Sequence, residues 1–143
     1  MFNPSRDEVR QFFCETWRKQ RDGLILTPLE VMAADWIGEH PEYRQNLDDA
    51  EAAATQDFPP EQGQSNPFLH LSMHLAISEQ ISIDQPPGIR FAHQQLAMRL
   101  GSSHQAQHEI MECLGETLWD AQRNQAPIDS AAYIERIQRR ATR

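Results

Sequence analysis

Helix start and stop signals divide this chain so regularly that a helical fold is the one architecture they allow. Ser5 with Glu8 forms a capping box, and Thr27, Pro28 and Glu30 repeat the device with a proline in the first turn. Asn66-Pro67 opens another segment, and Pro127 with Asp129 opens the last. Between these signals apolar residues recur at helical spacing: Val9, Phe12, Phe13 and Trp17, then Leu29, Met32, Ala33, Trp36 and Ile37. The pattern predicts helices over about 5–21, from Thr27 until Pro41 interrupts, and over about 66–83, 88–100 and 103–124, with a final one through Tyr133, Ile134 and Ile137. One or two polar turns with an Ala-rich tail are expected between Pro41 and Gln56. Residues 57–65 contain two prolines and a glycine and are expected to form an irregular loop or cover. No segment alternates as a strand would, and no repeat is present. The expectation is an all-α, single-domain bundle of about five to seven helices spanning residues 1–143.

Composition narrows what such a bundle does. The formal charge of -8 argues against broad electrostatic binding to nucleic acid or to an anionic membrane. The basic cluster Arg136, Arg139, Arg140 and Arg143 is read as complementing the dipole at a helix C-terminus. Cys14 and Cys113 are far apart and form no C-x-x-C, which fits reduced thiols of a cytoplasmic protein. The N-terminus carries charges where a secretory signal has its apolar core, and no apolar run reaches membrane-spanning length. A soluble, cytoplasmic protein is expected.

The chemistry sits in two histidine pairs at helical spacing, His70-x-x-x-His74 and His104-x-x-x-His108, the second followed one turn later by Glu112. Residues four apart share a helix face at about 6 Å of rise, the separation at which one metal ion takes both imidazoles. His104, His108 and Glu112 together span about 12 Å of rise, too far for one ion. A mononuclear site would therefore combine His70 and His74 with either His104 and His108 or His108 and Glu112, between the 66–83 and 103–124 helices. Such donors suit Zn, Fe, Mn or Ni. His93 lies on an inner helix face and is read as structural, and His40, before Pro41, as a loop residue. On the 103–124 helix the apolar face is read as Ile110, Met111, Leu114, Leu118 and Trp119, with Cys113 turned away from the histidines.

The run from Asn66-Pro67-Phe68 through His70 and His74 to Gln80, Pro86-Pro87-Gly88-Ile89-Arg90, and His104 to Trp119 with Met111-Glu112-Cys113-Leu114 inside it resemble a small proteobacterial family known only as a domain of unknown function. The resemblance implies a bacterial, cytoplasmic setting and supplies no reaction or catalytic residue. There is no phosphate-binding loop, dinucleotide fingerprint, G-x-S-x-G or HExxH motif, and the Glu-x-x-His pattern of diiron bundles is absent. The first functional expectation is a helical metal-binding protein. The alternative is a metal-free interaction module, binding a protein partner or a second copy, in which the histidines serve as hydrogen-bonding core residues. A metal-free hydrolase or transferase ranks last.

Overall fold

The structure, a computed structural model, describes residues 6–55 and 66–142. Ser5 of the first capping box, the 57–65 stretch and Arg143 lie outside them. Eight α-helices form among the described residues: α1 (Arg6–Arg21), α2 (Pro28–Gly38), α3 (Arg44–Asp48), α4 (Ala50–Thr55), α5 (Pro67–Ile83), α6 (Ile89–Leu100), α7 (Ser103–Arg123) and α8 (Ser130–Ala141). A 3-10 turn at Pro41–Tyr43 precedes α3, and no strand is present among those residues. The fold is all-α, as the punctuation predicts. The chain divides into two compact units, Met1–Leu75 and Ala76–Arg143, and the division falls inside α5.

In the first unit, Phe13, Ala33, Ile37, Leu47, Phe68 and Leu71 form the buried centre. Arg10 is buried beside it, donating to the Ala53 carbonyl at 2.7 Å while its guanidinium lies over the Phe68 ring. The carbonyl and the ring face together offset the cost of taking that charge out of water. Helix α2 starts as its sequence dictates. Thr27 Oγ1 accepts from the Glu30 amide at 3.2 Å, the Thr27 amide donates to Glu30 at 2.9 Å, and Lys19 pairs with the same carboxylate at 3.1 Å.

The second unit packs Ile77, Ile89, Leu96, Ile110, Tyr133 and Ile137 into its own core. Tyr133 buries its ring and satisfies its hydroxyl on Gln80 at 2.8 Å. Asp84 ends α5 and begins α6, since its carboxylate accepts from the amides of Gly88 and Arg90. Helix α7 keeps Ile110, and in part Met111 and Leu114, on its inward face as expected, but the rest of that face is rotated. Ala106, Ile110, Cys113 and Thr117 are buried, whereas Leu118 and Trp119 are exposed. Thr117 can enter the core because its hydroxyl donates to the Cys113 carbonyl at 2.7 Å and accepts from Arg136 at 2.8 Å, which leaves its methyl to pack. The C-terminal arginines also do more than complement a dipole. Arg136 pairs with Asp120, and Arg140 with Glu112 and Glu116 at 3.1 Å.

The Glu30 carboxyl is held below the ordinary value of 4.5, first by the Thr27 backbone amide and then by Lys19. A depressed folded-state value means that this contribution is fully present above 4.5 and is lost as pH falls through the lowered value. Thr27→Ala should cost about 1 kcal/mol. In urea titrations this should appear as a lower midpoint at unchanged slope, with the acid dependence kept, because the Thr27 backbone amide and Lys19 remain.

Candidate metal centre

Helix α5 presents His70 and His74 one turn apart because Asn66 caps it, accepting from the amides of Phe68 and Leu69 at 3.0 and 3.2 Å, with Pro67 in the first turn. His74 is fully buried between Leu71 and Leu75 in sequence, and its ring stacks on Trp36 at 3.8 Å and 11°.

The third imidazole comes from His40, for a reason rooted in Pro41. A residue before proline is driven out of the helical region, and His40 has φ -128° and ψ 65°. Its amide turns to the Ile37 carbonyl at 3.1 Å instead of continuing the helical ladder to Trp36. The Trp36 carbonyl takes the His40 Nδ1 at 2.9 Å. The Tyr43 ring lies parallel to His40 on the following turn, with centroids 5.2 Å apart. His40 lies in the connection after α2, as expected, yet it is only 4 % exposed and its ring turns inward.

The ring nitrogens of these three histidines converge. His70 Nε2 lies 3.1 Å from His40 Nε2 and 3.1 Å from His74 Nε2. A carbonyl only accepts, so His40 Nδ1 carries the proton and its neutral ring presents a lone pair at Nε2. His70 Nε2 then faces two nitrogens but carries either one proton or one lone pair. As a donor it serves one neighbour, and as an acceptor it confronts the lone pair of His40. A cation satisfies all three rings at once. Imidazole nitrogens bound to one tetrahedral ion at 2.0–2.1 Å stand about 3.3 Å apart, close to both observed separations. The ligand nitrogens of His40 and His74 lie within 4.8 Å of each other.

In the second unit, His104 and His108 sit together on α7, with ring centroids 4.5 Å apart and ligand nitrogens within 4.8 Å. Glu112 lies a turn further on with its side chain 64 % exposed, and it accepts from Arg140 at 3.1 Å. The structure therefore brings together each predicted histidine pair, adds His40 to the first, and engages Glu112 in an ion pair. His93 Nε2 meets the Ser103 hydroxyl at 3.2 Å. Burial pushes the Cys14 thiol up to about 11 and also raises that of Cys113, so neither is a ready thiolate.

Fold and site define an all-helical protein with an imidazole cluster in one unit and a helical histidine pair in the other. No helix among the described residues is long and apolar enough to cross a membrane. The chain belongs to the family described as a domain of unknown function, DUF1841, which it matches over residues 5–139. No curated protein and no solved structure matches it.

Burial holds the His93 imidazole below the ordinary value of 6.5, opposed in part by a hydrogen bond to the Ser103 backbone. Titrated by NMR, the His93 ring protons should move at a pH below 6.5. In Ser103→Ala the backbone bond remains, so the midpoint should stay below 6.5.

Proposed function

We propose that this protein binds one divalent transition-metal ion through its histidines, with His40, His70 and His74 as the ligands. The observation that carries the reading is the His70 Nε2, 3.1 Å from two other imidazole nitrogens, an arrangement that a cation resolves. Three imidazoles leave a tetrahedral ion one further position. Glu112, tied to Arg140, is left out of the set.

The donor type narrows the ion. Neutral imidazoles without carboxylate or thiolate favour the late borderline ions, so of Zn, Fe, Mn and Ni the reading favours Zn and Ni. Held at a position left open to water or to a small molecule, such an ion supplies Lewis acidity. The residues do the rest: Trp36 and Tyr43 pack against the ligand rings, and the Trp36 carbonyl keeps the His40 lone pair facing inward.

Elemental analysis of untagged protein should find close to one ion per chain. The ion should be lost in His40→Ala and in His74→Ala. No metal after reconstitution with Zn, Fe, Mn and Ni would overturn the reading, as would an unchanged content in both His40→Ala and His74→Ala.

A further inference from the structure

We infer that Trp36 is the positioning residue of this centre, orienting His74 through its indole face and His40 through its main-chain carbonyl; the inference rests on the metal reading above. Two separate groups of one residue reach two different ligands. The carbonyl takes the Nδ1 proton of His40 at 2.9 Å, which fixes the tautomer that leaves Nε2 to coordinate. The indole lies flat on His74 at 3.8 Å with an 11° tilt, so the ring turns about its side-chain bonds only by losing that stack. His70 stands at 78° to His74 and at 71° to His40, edge-on between them. Fixing the outer two rings therefore fixes the gap into which the middle one points.

The stack also favours the loaded state. An imidazole that donates its lone pair to a divalent ion becomes electron-poor, and the negative face of an indole attracts such a ring more than a neutral one. Trp36 thus contributes an interaction that strengthens on loading, in addition to the orientation present beforehand. By general experience with cations over aromatic faces, the difference corresponds to about 2- to 30-fold in affinity.

The test uses Co2+ with the full chain, because its visible absorption reports ligand geometry. Trp36→Leu should bind Co2+ about 2- to 30-fold more weakly and alter the shape of the visible bands, while Trp36→Phe recovers most of the affinity. Parent-like affinity and bands in Trp36→Leu would overturn this inference and leave the metal reading standing. Failure of the parent protein to bind Co2+ or Zn2+ would overturn both. Should Trp36→Leu lose its helical circular dichroism, fluorinated tryptophans keep the test open, since they preserve shape and weaken the negative ring face. Affinity that falls with fluorine content supports the inference, and a flat series overturns it.

Discussion

A neutral imidazole has one proton for two nitrogens, and at His40 the Trp36 carbonyl claims it. The arrangement of the first unit's centre follows from that allocation. Pro41 takes His40 out of the helix, the His40 amide turns to Ile37, and the carbonyl that α2 would have used for one more rung receives a side chain instead. The remaining nitrogen is aimed at His70, which also faces His74. Because His74 is wholly buried and stacked on Trp36, it cannot relieve the conflict by swinging into water. The arrangement of the three imidazoles is thus fixed by how a helix ends as much as by the spacing of the histidines.

The local part of this structure was readable from the chain. Thr27-Pro28-x-Glu30, Asn66-Pro67 and Asp129 act within three residues of themselves, so their helices begin where the sequence places them. The two histidine pairs were equally visible, because their spacing is a helical period. His40 was not, since its ring meets His70 across thirty positions and has no periodic partner of its own. Glu112 looked like a third donor on the His104 stripe because its partner Arg140 lies 28 residues further on. The inward face of α7 was misread by placing Leu118 and Trp119 on it, while Cys113 and Thr117 were left off it. Both are buried, and the hydroxyl that makes threonine look polar is consumed within the unit.

The charges of the second unit illustrate how position changes the meaning of a residue type. Four C-terminal arginines in an acidic chain resemble a basic tail, yet Arg136 and Arg140 reach from α8 to acids spaced along α7. Their partners are largely exposed, so each pair contributes at most about 1 kcal/mol. Together the pairs favour one alignment of the two helices over others, because a shift by one turn would set arginines against the wrong positions.

The division between the two units falls between Leu75 and Ala76, in the middle of a helix whose hydrogen bonds run unbroken from Pro67 to Ile83. A recombination event at that boundary would sever several i to i+4 bonds and leave two frayed stubs, each too short to persist alone in water. Usable break-points, in evolution or in the laboratory, therefore lie before Pro67 or after Ile83. Whichever fragment inherits the intact helix also inherits His70 and His74, so the histidine pair travels as an indivisible piece of sequence.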